Sequence, residues 1–131
     1  MNTHEKMINI MSDLETSVYK VLTLQEWEGA SKTGLVITEL DQKDGFIHLS
    51  SASQLNVTLA LYFSQEEKVV LLQIKESEIA TDLTYEYSEK RGGKFAHLYG
   101  QLSTKKISQS WHLDRTALSI PRDVMLQAEQ D

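Results

Sequence analysis

The chain has 131 residues with 13 basic and 19 acidic side chains and a formal net charge of -6, enough for one domain with its own core and too few for two. That acidity argues against a general binder of nucleic acid or of an anionic membrane, whose affinity comes from clustered Lys and Arg. No cysteine is present, which excludes disulfides, thiolate metal ligands and a Cys nucleophile.

Met7, Ile8, Met11 and Leu14 recur at helical spacing, so residues 1–15 read as an N-terminal amphipathic helix or a mobile extension. No run of about 18 apolar residues occurs. The first ten residues mix His4, Glu5 and Lys6 with apolar ones rather than forming a leader, so a cytoplasmic protein without membrane contact is expected. Residues 16–120 read as a single α+β domain, and 121–131, from Pro121, as a polar C-terminal tail.

Within that domain, Ser17 to Leu22 is rich in β-branched and aromatic residues and predicts a strand. Thr23 is placed to cap a following helix that carries Leu24 and Trp27 and ends between Gly29 and Gly34. Val36 to Leu40 reads as a brief strand or an irregular connection, and Asp41 to Gly45 as a polar turn in which Gly45 supplies a positive φ. Alternation then places Phe46, His48 and Ser50 on one face of a strand and Ile47 and Leu49 on the other. Ser51 with Gln54 three residues on writes a capping box, and Ala52, Leu55, Leu59, Tyr62 and Phe63 form the apolar stripe of the helix it opens.

Lys68 to Ile74 is nearly continuous apolar sequence, the pattern of a central strand covered on both faces. Glu76 to Leu83 predicts a short helical turn. Leu83, Tyr85 and Tyr87 alternate with Thr84, Glu86 and Ser88 in another strand, which places Glu86 opposite the tyrosines. Ser88 to Lys94 is a charged, glycine-bearing loop that either moves over a site or simply connects two strands. Phe95-Ala96-His97-Leu98 repeats the Phe-x-His-Leu of residues 46–49, and Ile107 to Leu113 is a last strand.

The strand-to-helix junction gathers an imidazole, His48, the hydroxyls of Ser50 and Ser51, and free N–H groups at a helix start. Such a place suits a phosphate, carboxylate or carboxamide oxygen. A capped helix beside a structural histidine accounts for the same residues. His48 and His97 meet if their strands are adjacent, and Glu86 is a candidate general base or cation stabiliser if it faces them. Tyr99, before Gly100, is a candidate ring-stacking residue, whereas Trp27 and Trp111 are assigned to packing. No metal site is expected, because two histidines without metal-ligand spacing are too few ligands. Glycine-rich nucleotide loops and a serine-nucleophile elbow are absent.

The succession Gly45-Phe46-Ile47-His48-Leu49-Ser50, Gln54, an apolar helix ending Tyr62-Phe63, Val69-Val70-Leu71-Leu72, Glu86 and Phe95-Ala96-His97-Leu98-Tyr99-Gly100 resembles the bacterial domain of unknown function 952 family over about residues 17–113. That family looks related to the ADP-ribosyltransferase superfamily, closest in wording to the RNA 2'-phosphotransferase branch. The resemblance implies an α+β fold with a small, split, bent pair of β-sheets and short helices gripping NAD in a cleft. It implies catalytic roles for His48, Glu86 and His97, and ligand binding by Ser50, Ser51, Gln54 and Tyr99. In that branch a His precedes the matched His-Leu-Ser, where this chain has Ile47; the first strand offers Tyr19, Lys20 and Thr23 where the superfamily has a further His or Arg. The usual triad is therefore incomplete.

The expected function is thus a monomeric bacterial domain whose cleft binds NAD or another small phosphorylated nucleotide, as an ADP-ribosyltransferase or NAD glycohydrolase relative. No cofactor is firmly implied; NAD enters as a substrate. The alternatives are a non-catalytic small-ligand or protein-interaction module, its protein partner unidentified, or a structural domain that pairs through its N-terminal helix. An RNA 2'-phosphate substrate is disfavoured by the acidity and by the few arginines, Arg91, Arg115 and Arg122.

Overall fold

The computed structural model describes residues 17–114. The readings at residues 1–15, at His4, at Arg115 and Arg122 and in the tail from Pro121 lie outside the described residues. The described part is α+β, with two antiparallel three-stranded sheets and a few short helices.

One sheet has the order β1 (Ser17–Thr23), β3 (Lys68–Lys75), β6 (Ile107–Asp114). The other has the order β2 (Ile47–His48), β5 (Gly93–Leu98), β4 (Leu83–Ser88). The apolar run of β3 takes the central place expected of it. Its alternation feeds two cores: Val70, Leu72 and Ile74 meet Val18, Leu22, Ile47, Leu49, Ala96 and Leu98 between the sheets. Val69 and Leu71 pack with Tyr19, Val21, Leu55 and Leu59 on the far face. Trp27 and Trp111 pack against these two cores respectively.

Helix α1 (Leu24–Thr33) starts where Thr23 and Glu26 form a capping box, and ends at Gly34. Between residues 35 and 45 the structure corrects the expected turn. Thr38 accepts from the Asp41 amide and starts a helix, α2 (Glu39–Asp44), which Gly45 closes at φ 83°. A short apolar content hid this helix, because its six residues, Glu-Leu-Asp-Gln-Lys-Asp, have no stripe to reveal it. A 3-10 turn over Ala52–Gln54 leads into α3 (Leu55–Tyr62). The Gln54 side chain accepts from the Ser51 amide at 3.0 Å, as the capping pattern predicts.

The sheets join through the segment that follows β2. Leu49 N–H donates to Ala96 of β5 at 3.0 Å, and the next residue, Ser50, exchanges two backbone hydrogen bonds with Tyr19 of β1 at 2.7 and 2.9 Å. One short extended segment therefore belongs to both sheets and marks the split between them. Gly100 passes close to Asp82: a Cβ there would lie 2.8 Å from Oδ2, the end of an exposed side chain that would have to turn away, and the Tyr99 amide donates to the Asp82 carbonyl at 2.8 Å.

Leu72, buried completely between the sheets, sets a stability test. Leu72→Ala should cost about 2–5 kcal/mol by urea unfolding, whereas Tyr87→Ala on the exposed side of edge strand β4 should cost less than about 1 kcal/mol.

Candidate functional site

Lys20 stands between valine, tyrosine and leucine residues on β1, and alternation puts it on the same face as Val18 and Leu22. It is only 6% exposed, so its ammonium needs partners. Asp41 of α2 supplies them, with Nζ 3.0 Å from Oδ1 and 2.8 Å from Oδ2, and the His48 carbonyl accepts at 3.1 Å. Asp41 Oδ1 also receives the His48 amide at 3.1 Å and faces His48 Nδ1 at 2.7 Å. One buried carboxylate thus ties β1, α2 and β2 together.

Burial opposes ionisation of Asp41, but the His48 hydrogen bond and the Lys20 ammonium outweigh it and hold its carboxyl at about 2. Lys20 is pushed below the usual lysine range by burial, against the pull of Asp41. His48 Nε2 meets Asp44 Oδ2 at 2.9 Å, so both ring nitrogens face carboxylates.

His48 and His97 are opposite each other in the β2–β5 ladder, and their ring centroids are 5.8 Å apart. Phe46 stacks on His97 at 4.0 Å and also contacts His48 and Tyr99. Glu86 Oε1 lies 2.8 Å from His97 Nδ1 and accepts from the Tyr99 hydroxyl at 2.6 Å. The Tyr99 and His97 hydrogen bonds hold the Glu86 carboxyl below its ordinary range, and the same contact raises the Tyr99 phenol. His97, Glu86 and Tyr99 therefore form one hydrogen-bonded chain, and the Phe46 ring packs between it and His48.

Ser50 is buried and its hydroxyl is 2.7 Å from Thr58 of α3. Both line a cavity of about 220 Å³, together with His48, Lys20, Tyr19 and Tyr62. Burial pushes the Tyr19 phenol up to about 12, so the cavity meets it as a neutral ring. Ser51 and Gln54 stand differently. Ser51 Oγ pairs with Ser53 Oγ at 3.2 Å, and the Gln54 amide is taken at both ends, by the Ser51 N–H and by the Lys94 carbonyl at 2.7 Å. A larger hollow, about 990 Å³, runs beside α1 and residues 65–68 and is lined by none of the sequence-predicted site residues.

Asp41, Asp44 and Thr58 escaped the sequence reading as site residues, and Lys20 entered it only as a first-strand residue standing where the superfamily has a His or Arg. A lone lysine inside an apolar strand was the available signal for Lys20, since such a charge is rarely buried without a partner. Asp41 gave none while it was read as part of a turn. No group of three or more metal-capable side chains occurs among the described residues, and no described helix is long and apolar enough to cross a membrane.

A family model described as "Protein of unknown function (DUF952)" matches residues 21–110. The crystal structure of the Caulobacter crescentus protein CC0527 is similar at 35% identity and a TM-score of 0.70, over 76% of this chain and 87% of that one. Its solution NMR structure is similar at 34% identity and a TM-score of 0.69, over 82% and 92%. No curated protein matches the chain.

The buried Asp41 gives a pH signature. Its folded-state value near 2 lies below the unfolded value near 3.8, so its contribution, about 2 kcal/mol, is present above pH 4 and lost as pH falls through 2. Asp41→Asn strands the buried Lys20 charge and should destabilise by several kcal/mol at neutral pH. Urea unfolding at a series of pH values should show the gap between wild type and variant narrowing towards pH 2; a constant gap would contradict this assignment.

Proposed function

The chain belongs to the DUF952 family, and we propose that it binds NAD or a similar phosphorylated nucleotide in the cleft where its sheets split. The observation that carries this reading is the position of His48 and Ser50. They lie on the one segment shared by both sheets, at a cavity lined by hydroxyls and tyrosine rings. The two split sheets agree with the ADP-ribosyltransferase-like resemblance of residues 45–54 and 95–100. A cavity of about 220 Å³ is below the roughly 300–1,000 Å³ typical of a drug-sized ligand. It suits one ring or sugar of a dinucleotide, with the remainder reaching out of it towards Phe46 and the half-exposed Tyr99.

In this reading His48 is a positioning residue. Its ring is fixed between Asp41 and Asp44, and it shapes the cavity wall rather than moving a proton. Ser50 and Thr58 share one hydrogen bond, so one of their two hydroxyl hydrogens is left to donate to the ligand. Tyr62 offers a ring face, and Tyr99, half exposed, offers one outside the cavity. Ser51 stands at the rim, and Gln54 acts on the ligand only indirectly, by holding the helix start against β5. A cytoplasmic, bacterial setting goes with such a ligand.

A specific observation favours cleavage of the nicotinamide bond as a second reading. Glu86 is held ionised and its partner His97 makes no hydrogen bond through Nε2 among the described residues. An anionic Glu86 stabilises positive charge on the ribose as the C–N bond breaks, its electrons leaving with nicotinamide. Water then forms the new C–O bond, and His97 Nε2 takes the proton that water releases.

Titration with NAD to millimolar concentration should shift the NMR amide signals of residues 46–54 and 95–100, and His48→Ala should weaken binding by roughly tenfold. A spectrum that does not respond would sink the nucleotide reading. Under the second reading, nicotinamide accumulates on long incubation and Glu86→Gln slows its release by about a hundredfold or more. Binding without any release leaves a non-catalytic module.

A further inference from the structure

Arg91 lies in the turn between β4 and β5, yet its side chain is only 7% exposed. Its guanidinium carbon is 5.2 Å from the Tyr62 ring centroid and 4.6 Å from that of Phe95, so the group is held between α3 and β5. These rings attract the charge through their faces, but they accept nothing from the N–H edge. Nη1 is shielded from solvent and unbonded, and no other guanidinium nitrogen donates to a described residue. Among the described residues no carboxylate pairs with it.

A buried cation without a counter-ion is costly, and a guanidinium cannot escape by losing its proton. The surroundings show where a counter-ion would come from. Tyr62, which covers Arg91, also lines the cavity beside Ser50 and Thr58, and Thr58 and Tyr62 are one helical turn apart on the same face of α3. Lys90 Nζ lies 5.3 Å from the centroid of the same Tyr62 ring. Two cations therefore converge on one ring in a chain of net charge -6. Lys20 is the cation that lines the cavity itself, and Asp41 already neutralises it, whereas Arg91 stands behind Tyr62, near enough for its charge to act on Lys20.

We infer that Arg91 is an anion-binding residue of the cleft, receiving a phosphate or diphosphate group that also takes the spare hydroxyl hydrogen of the Ser50–Thr58 pair. A guanidinium edge matches two oxygens of one phosphate, and phosphate is the partner for which its fork geometry is best suited. The inference deepens the nucleotide reading by assigning the end of the ligand that enters beside α3. It also explains why a charged hairpin folds inward: the phosphate supplies acceptors that the described residues do not.

The test is an NMR titration that follows the Arg91 Nε–Hε signal with the amides of Ser50, Thr58 and Tyr62, using inorganic pyrophosphate, adenosine and NAD in separate arms. Pyrophosphate and NAD should both move the Arg91 signal, adenosine should not, and Arg91→Met should weaken pyrophosphate binding by roughly tenfold or more. Arg91→Lys, which keeps the charge without the fork, should retain part of it. If NAD shifts the cleft amides while neither NAD nor pyrophosphate moves the Arg91 signal, the nucleotide reading stands and the Arg91 assignment is overturned. If pyrophosphate moves the Arg91 signal and NAD moves nothing, the Arg91 assignment stands and the nucleotide reading falls. Silence in all arms overturns both. Should Arg91→Met fail to fold, the wild-type side-chain signal decides alone.

Discussion

The arrangement depends on one buried carboxylate. Asp41 Oδ1 accepts from the Lys20 ammonium and the His48 amide and faces His48 Nδ1, so β1, α2 and β2 meet at one oxygen. A carboxylate removed from water is tolerated only when its lone pairs are filled. Here the hydrogen bonds at Oδ1 and the Lys20 ion pair, which is the contact Oδ2 makes among the described residues, also decide where β2 lies relative to β1. The apolar alternation of Ile47 and Leu49 fastens one face of that segment into the core, and the Asp41 contacts fasten the backbone and the other face.

The cleft follows from this anchoring. Because the segment changes partners between Leu49 and Ser50, bonding first to Ala96 and then to Tyr19, the sheets diverge at that point and α3 covers only one side. Ser50, Thr58 and Tyr62 line the resulting cavity, and the His97, Glu86 and Tyr99 chain continues along β5 and β4. The two parts differ in character. Around His48 both ring nitrogens are held by carboxylates, which favours rigidity and binding; around Glu86 and His97 an ionised carboxylate and, among the described residues, an unbonded ring nitrogen remain, which are the elements a reaction would use.

Much of the scaffold was legible in the sequence because it is written in local patterns. The apolar run of β3, the capping residues Thr23 and Ser51, the positive φ at Gly45 and the shared face of His48 and Ser50 all follow from spacing within a few residues. The duplicated Phe-x-His-Leu was also informative, since His48 and His97 do pair across two strands. What escaped was set by contacts distant in the chain. Asp41 meets Lys20 across 21 residues, and Arg91 is buried by Tyr62 and Phe95 from different elements; a turn-like polar run and a charged hairpin look alike whether they face water or a cleft. Gln54 was read correctly as a capping residue, and its amide also reaches across to the Lys94 carbonyl, a contact 40 residues away that no local pattern shows.

The most direct measurement is amide hydrogen exchange in the Asp41→Asn variant. If the buried carboxylate positions the shared segment, the Tyr19 and Ser50 amides that link the two sheets should lose protection by a larger factor than the β3 amides paired with β6, such as those of Leu71 and Gln73. Uniform loss across Tyr19, Ser50 and β3, or unchanged protection at the junction, would contradict the claim that Asp41 builds the cleft.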